Sequence, residues 1–327
     1  MKSSAAYSLS ALAVLVMAGG VWWWQHPEEK VREETQGDQS TPRDLKPVLP
    51  LEAERDFLHP QVRILISPEA IGYGARSAAV RSLPNNLSSR DLTSAMDFMN
   101  AAKPGEMRDT EWHALVDSLI NALRRQDTAP DGLTDALIRL YHGGADSVLK
   151  DYAVQYLRYW FVDREIRYKH ETRPDARQRI LATLVDAAHK LHESYSGTAL
   201  MALDHITTDR NLRSEPETQA MIERQLKDFN GLLIKAVSSP ETNRLCRVSA
   251  IQVAAMRGEK EILPVVRALA SDPATDANVR ISSIAAIGQL GALAEDKELL
   301  TRLEKSGQRL AYAAKQALHK LADPNTP

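Results

Sequence analysis

The residues with the most obvious capacity for chemistry are a histidine pair and a single cysteine. His189 and His192, in HKLHE, share one helical face and could bind a metal, with His205 following after a loop. Zinc peptidase motifs, however, place two histidines four residues apart with a glutamate inside the motif, and that arrangement is absent. Cys246 occupies an apolar position and excludes any disulfide within the chain. These patterns predict solvated histidines, a buried cysteine, no metal and no cofactor.

Signatures of the common enzyme classes are also missing. The sequence contains no nucleophile elbow, no phosphate-binding Walker loop and no dinucleotide-binding glycine fingerprint. Isolated acids such as Asp204 and Asp209 could act in a pocket beside aromatic side chains. No motif supports such a role, so the sequence predicts no catalytic residue and favours a protein that is not an enzyme.

Aromatic residues offer a stronger signal. Of the 14 aromatics beyond residue 24, seven fall within 28 positions: Tyr141, Tyr152, Tyr156, Tyr159, Trp160, Phe161 and Tyr168. On a helical wheel Tyr156 and Trp160 share the core face, whereas Tyr152 and Tyr159 lie on a neighbouring stripe. Tyrosine and arginine are enriched at binding hot spots. The sequence therefore predicts a partner-binding surface that comprises Tyr152, Tyr159, Arg164, Arg167 and Arg173; the alternative is packing within an aromatic-rich hairpin with a salt-bridged outer face.

The first 24 residues are suited to a membrane. The twenty residues 5–24 carry no charge and end in three tryptophans, which matches the roughly 30 Å of a bilayer core. Lys2 precedes this run and Glu28 and Glu29 follow it, so the charge bias places the N-terminus in the cytoplasm. Residues 1–24 are predicted to be a retained transmembrane helix; the alternative is a cleaved signal peptide around Ala18 that releases a secreted protein.

Residues 25–59 form an acidic tether in this interpretation. They contain four prolines and nine acidic residues against five basic ones, with few apolar side chains. Such a composition buries too little surface to offset the entropy of ordering. We expect a disordered linker that separates the membrane from a body over residues 60–327.

The body shows helical periodicity and an internal repeat. Ser88 and Asp91 have capping-box spacing before an apolar helical pattern, and a long helix is expected from Ser214 towards Val237. Shifting the chain by 33 residues aligns 238–258 with 271–291, with seven of 21 positions identical. Partner helices are expected at 175–193, 260–271 and 296–305. Alternating motif and partner helices predict an all-α solenoid.

The repeated frame in CRVSAIQVA (246–254) and VRISSIAAIG (279–288) resembles the HEAT repeat, in the short form also found in bilin lyases. The resemblance is strongest over 238–321, although Ser196 and Ala311 stand where the basic residue is usual. It implies an α-solenoid of helical hairpins. Because related repeats occur in bilin lyases and in certain DNA glycosylases, it also leaves open a lyase or hydrolase with a pocket on the concave face.

Charge and location favour binding over catalysis. The body is nearly neutral, with 35 basic and 34 acidic residues, and lacks the basic surplus of a nucleic-acid-binding protein. An exported body would also be separated from DNA and from bilin attachment. We therefore expect a single-pass bacterial membrane protein whose extracytoplasmic, or periplasmic, repeat domain is a scaffold for a protein or peptide partner.

Overall fold

The structure, a computed structural model, describes residues 57–69, 71–144, 146–166, 174–213, 215–291, 293–306 and 308–322. Regular structure within these ranges is entirely helical. Sixteen α-helices occur there: α1 (Pro60–Leu65), α2 (Tyr73–Arg81), α3 (Ser89–Met99), α4 (Asp109–Arg124), α5 (Leu133–His142), α6 (Ser147–Ile166), α7 (Pro174–His189), α8 (Tyr195–Thr208), α9 (Arg210–Arg213), α10 (Pro216–Gln225), α11 (Phe229–Ser238), α12 (Arg244–Met256), α13 (Leu263–Ser271), α14 (Ala277–Leu290), α15 (Ala294–Glu304) and α16 (Gln308–Ala322). A 3₁₀ turn, Lys260–Ile262, leads into α13.

The helices pair into hairpins that stack in two layers. Helices α1, α3, α5, α7, α10 with α11, α13 and α15 form the first layer, and α2, α4, α6, α8, α12, α14 and α16 form the second. Each second-layer helix packs against the first-layer helix before it and against its neighbours in its own layer. The apolar residues between the layers make one continuous core. The predicted all-helical repeat architecture is thus present in the described part of the chain.

The capping box at the start of α3 is confirmed. The Asp91 amide donates to Ser88 Oγ at 3.2 Å, and the Ser88 amide donates to Asp91 Oδ2 at 3.2 Å. Asp91 Oδ1 also accepts from the His59 amide at 2.7 Å, which ties the chain before α1 to α3. One carboxylate therefore caps a helix and joins two hairpins.

Arg76 stabilises the loop between α1 and α2. Its side chain is almost entirely buried, at 2% exposed, and the guanidinium donates to the carbonyl oxygens of Leu65, Ser67 and Ile71. An ion pair to Glu106 at 3.2 Å balances the charge. Most donors of this buried group are thereby satisfied, as burial of a guanidinium requires.

The 33-residue repeat seen in the sequence corresponds to a repeat of local structure. Asn243 and Asp276, which are aligned by the period, both act as N-caps of second-layer helices. Asn243 Oδ1 accepts from the Leu245 amide, and Asp276 Oδ1 accepts from the Asn278 amide, each at 2.9 Å. The two turns thus end in the same way at equivalent positions.

The repeated arginine has a specific structural role. Arg247 donates to the carbonyl oxygen of Ser239 at the end of α11, and Arg280 Nε donates to that of Ala270 at the end of α13, at 3.3 Å. Ser196, which replaces the arginine in the preceding hairpin, donates from Oγ to Ala188 O at the end of α7, at 2.9 Å. Each residue caps the C-terminus of its own hairpin's first helix, where carbonyls lack intrahelical donors.

Small residues let the second-layer helices approach closely, as the motif predicts. A Cβ atom placed on Gly288 of α14 would lie 2.6 Å from both Cα and Cβ of Ala317 on α16. One placed on Gly197 of α8 would lie 3.0 Å from Cα of Cys246 on α12. Backbone contact of this kind is sterically possible only without a side chain at these positions.

The aligned glycines at the ends of α12 and α14 differ in conformation. Gly258 has φ +78° and forms a Schellman motif, in which the Glu259 amide donates to Ala254 O at 2.9 Å. Gly291 is extended, and a Cβ there would lie 2.5 Å from Ile287 O. Sequence identity at this position therefore reflects two different requirements, a left-handed backbone and a lack of space.

The prediction of one continuous helix over 214–237 is wrong. Two helices, α10 and α11, occupy this region, separated by a turn at Leu226–Asp228. The break directs α10 against α7 and α11 against α12, with Phe229 and Leu233 buried. A single straight helix could not contact both partners.

No helix among the described residues is long and apolar enough to cross a bilayer. The predicted anchor, residues 1–24, and nearly all of the predicted tether lie outside the described residues.

Candidate functional site

Helix α6 has the register that its sequence predicts. Tyr156 and Trp160 are buried against α4 and the first layer, together with Ala153 and Leu157. The Trp160 indole donates from Nε1 to Thr134 Oγ1 on α5 at 3.0 Å. These contacts fix the rotation of α6 and leave Tyr152 and Tyr159 half-buried on the adjacent stripe.

The centre of the candidate site is Tyr159 with two arginines. Arg158 Cζ lies 3.9 Å from the centroid of the Tyr159 ring, and Arg124 Cζ, on α4, lies 4.8 Å from it. Both distances fall within the range of cation–π attraction. We call these three residues the Arg–Tyr–Arg cluster.

The two arginines of the cluster have different surroundings. Arg124 donates from Nε and Nη2 to Asp163 Oδ2 at 2.8 and 2.6 Å, so its charge is balanced. Arg158 has no hydrogen-bond partner among the described residues, and its Nε is fully buried. Burial, together with the positive charge of Arg124, lowers the pKa of Arg158. The cluster thus contains one paired guanidinium and one without a hydrogen-bond partner in the part of the chain that the structure describes.

Tyr156 links the two helices that carry the cluster through hydrogen bonds of its hydroxyl group. Its hydroxyl donates to Asp117 Oδ1 on α4 at 2.5 Å and accepts from Asn121 Nδ2 at 2.5 Å. Burial and the bond to Asp117 raise the pKa of Tyr156, and burial raises that of Asp117. These bonds attach α4 to α6 and hold Arg124 at the side of Tyr159.

Tyr152 lies one turn before Tyr156 among carboxylates. Burial, with smaller effects from Asp117 and Asp151, raises the pKa of Tyr152 to about 12. The phenol is therefore protonated at neutral pH and is available as a hydrogen-bond donor.

His205 borders the other side of the cluster, on α8. Burial, and next the positive charge of Arg158, lower the pKa of His205, while Asp209 and Asp204 oppose the shift. Arg158 therefore lies close enough to His205 for its positive charge to disfavour the imidazolium.

Three of the five predicted binding residues cannot be placed. Arg164 falls within the last turn of α6, but its side chain lies outside the described residues, as do Arg167 and Arg173 entirely. Tyr152 and Tyr159 are therefore the two predicted residues that the structure brings to one surface.

Several residues of the site were not identified from the sequence. Arg124 and Asp163 are 39 positions apart, and Asp117 and Tyr156 are separated by the same distance. The available signal was the polar series Asp117, Asn121 and Arg124, at i, i+4 and i+7 of an amphipathic helix. Such spacing marks one stripe of a helix but does not indicate what lies opposite it.

Asp204 lies at a separate depression between α8 and α12. An open hollow of ≈ 370 Å³ is lined by Asp204, Thr208, Asn230, Met256, Arg257 and Glu259. Burial raises the pKa of Asp204, but Arg257 Nη1 donates to its Oδ1 at 3.1 Å, which favours the ionised form. Asp204 is thus held in an ion pair at the edge of an open surface.

Cys246 and His192, two further residues with capacity for chemistry, occupy a buried core position and the surface, respectively. Cys246 is buried on α12, and burial raises the pKa of its thiol. The side chain of His192 is mostly exposed and lies 3.5 Å from Glu193. Within the described residues, no group of three or more histidine, cysteine, aspartate or glutamate side chains could hold a metal ion.

No protein-family model matches the chain, and no curated protein matches it significantly.

Proposed function

We propose that the protein is a membrane-tethered scaffold, in which a solenoid of HEAT-like hairpins binds a protein or peptide partner outside the cytoplasm. The observation that carries this proposal is the Arg–Tyr–Arg cluster on the second layer. Tyr159 and Arg158 contact each other before any ligand arrives, so binding there would cost little side-chain entropy.

The rest of the chain supports the same function. The uncharged run 5–24 is suited to a membrane helix, and the acidic composition of 25–59 is suited to a flexible linker. Stacked hairpins present parallel rows of side chains over a long surface, which is the usual basis of recognition by α-solenoids.

The experiment on location uses two reporters at the C-terminus of the full chain. Alkaline phosphatase, which is active only outside the cytoplasm, should be active, and a cytoplasm-dependent fluorescent protein should be dark. Removal of residues 1–24 should reverse both signals. An N-terminal epitope tag tests the alternative, because its loss from the mature protein would indicate signal cleavage and secretion.

The experiment on binding uses a photo-crosslinking amino acid in place of Tyr152, with Tyr312 on α16 as the control position. Tyr312 is 55% exposed and lies in the last described helix, far along the chain from the cluster. A defined adduct from position 152 that is absent from position 312, and lost in Tyr159→Ala, supports the scaffold. Equal adducts at both positions, or none from a folded chain, contradict it.

A second candidate function, an enzyme with a lyase or hydrolase activity, has the Asp204 depression as its supporting observation. A raised carboxyl pKa is typical of general acids. The Arg257 ion pair and the open form of the hollow favour a structural role instead. If the depression were catalytic, Asp204→Asn would abolish a turnover that Asp163→Asn leaves intact.

A further inference from the structure

We infer that the Arg–Tyr–Arg cluster recognises a carboxylate on an acidic segment of the partner protein, with Arg158 as its principal donor. This inference rests on the proposed scaffold function and specifies the chemistry of its ligand. The expected contact is an Arg158–carboxylate pair beside the Tyr159 ring.

Among the described residues, Arg158 has unused hydrogen-bonding capacity, which is the first reason to expect a ligand there. A guanidinium carries five N–H donors, and buried donors are nearly always paired in folded proteins. Arg158 Nε is buried without a partner, and no described residue accepts from the rest of the group. The ring of Tyr159 at 3.9 Å holds the guanidinium plane in place but accepts no conventional hydrogen bond. Because Arg158 as a whole is only half-buried, an arriving carboxylate could accept from its Nη groups rather than from the buried Nε.

Charge balance around the cluster is the second argument. Neighbouring carboxylates already have partners: Asp163 binds Arg124, Asp117 binds Tyr156, and Asp204 binds Arg257. Among the described residues none forms a direct ion pair with Arg158, which lies near Arg124 and His205. A negative group is the complementary ligand for this arrangement.

The small number of basic side chains in the cluster favours a single carboxylate on a peptide over a polyanion. A polyanion such as nucleic acid requires many basic contacts, and the body has 35 basic against 34 acidic residues. The planar fork of arginine matches a carboxylate in bidentate geometry. A protein surface of this kind typically recognises such a group as part of an extended segment.

The test measures peptide binding to the full chain in detergent micelles at low ionic strength. The probe is a fluorescein-labelled peptide of alternating glutamate and alanine, with the glutamine analogue as its uncharged counterpart. The glutamate peptide should bind and the glutamine peptide should not. Arg158→Gln should weaken binding by about tenfold or more, as expected for loss of a charged hydrogen bond. Arg158→Lys, which keeps the charge but loses the fork, should fall between.

The matched control is Arg302→Gln, which removes the same charge from an exposed position on α15. It should leave the affinity essentially unchanged, and circular dichroism should show that both variants are folded. Equal binding of the two peptides, or an equal loss in Arg302→Gln and Arg158→Gln, would overturn the inference.

The chain's own acidic tether is the competing occupant. Glutamine at every acidic position of residues 25–59 should not change the affinity for the peptide; a tighter affinity would show that the tether fills the site and would contradict the partner assignment. The outcome is separable from the scaffold proposal. If the photo-crosslink from position 152 persists in Arg158→Gln, the scaffold stands and the carboxylate inference fails.

Discussion

At the scale of single residues, two glycines mark places where neighbouring helices approach each other closely. Gly288 and Gly197 lie where second-layer helices touch through their backbones, so their role is the absence of a Cβ atom. Gly74, in α2, has open space around its Cβ direction. Substitution of glycine by alanine should therefore lower the free energy of unfolding at position 288 and raise it at position 74.

Gly288→Ala should lower the free energy of unfolding by about 1–3 kcal/mol, because the new methyl group would meet the α16 backbone at Ala317. Gly74→Ala should raise it by about 0.5–1 kcal/mol, since alanine restricts the unfolded chain and meets nothing in the fold. Denaturant unfolding of both variants provides the measurement. A neutral Gly288→Ala would show that α14 and α16 can separate without cost.

Acidification should destabilise the protein through His205. Its pKa in the folded chain is below the ordinary 6.5 because burial and Arg158 disfavour the imidazolium. The unfolded chain therefore binds more protons below pH 6.5, and the contribution of His205 to stability, complete above 6.5, is lost as the pH falls through the folded value. NMR titration, with His205→Gln for assignment, measures that pKa.

The Arg158 charge provides the control for the titration. Arg158→Gln should raise the pKa of His205 towards its ordinary value, because the charge contribution disappears and burial alone remains. An unchanged value would mean that the two side chains do not interact electrostatically.

At the scale of helices and turns, the repeat is maintained by one recurrent bond. Arg247, Arg280 and Ser196 each donate to a carbonyl near the C-terminus of the first helix in their own hairpin. In these three hairpins a side-chain donor stands at that position, so serine can replace arginine there; Ala311, at the equivalent position of α16, supplies no such donor. From the sequence alone, Ser196 looks like a departure from the repeated motif.

Two buried serines allow this bond to be measured. Ser196 and Ser283 are both fully buried on second-layer helices, but Ser283 Oγ has no partner in the described structure. Ser196→Ala should cost about 1 kcal/mol or more, since Ala188 O loses its donor, whereas Ser283→Ala should be neutral or stabilising. Thermal unfolding of the two variants gives the comparison; an equal cost would disprove a capping role for Ser196.

Short sequence motifs predicted helix boundaries correctly where the motif specifies particular hydrogen bonds. The Ser88–Asp91 spacing predicted a capping box, and both of its bonds are present. The expected single helix to Val237 failed, because the turn at Leu226–Asp228 arises from two different packing partners rather than from a glycine or proline. Such a break depends on tertiary contacts, which periodicity within one segment does not contain.

At the scale of the whole molecule, each hairpin contacts mainly its neighbours. Loss of α16 should therefore destabilise the protein locally. In a chain that ends at residue 306, hydrogen exchange should accelerate in α14 and α15, which lose their packing partner, and remain unchanged in α8. Uniform acceleration throughout would indicate one cooperative unit instead.

The candidate site shows the limit of sequence reasoning at this scale. The helical wheel correctly assigned Tyr156 to the core and Tyr159 to the neighbouring stripe. It could not identify Arg124 as a neighbour of Tyr159, since α4 and α6 are separated in the chain by α5 and its loops. Pairing between hairpins is set by how the hairpins stack, not by any local pattern.

The arginine cap has a consequence for how the protein could change in length. Because Arg247 and Arg280 bond to a helix end within their own hairpins, a tandem duplication of residues 239–271 would bring its own N-cap and its own capping arginine. Such a copy would need nothing from its neighbours except a surface to stack on. Insertion of such a 33-residue copy should therefore leave the flanking hairpins folded.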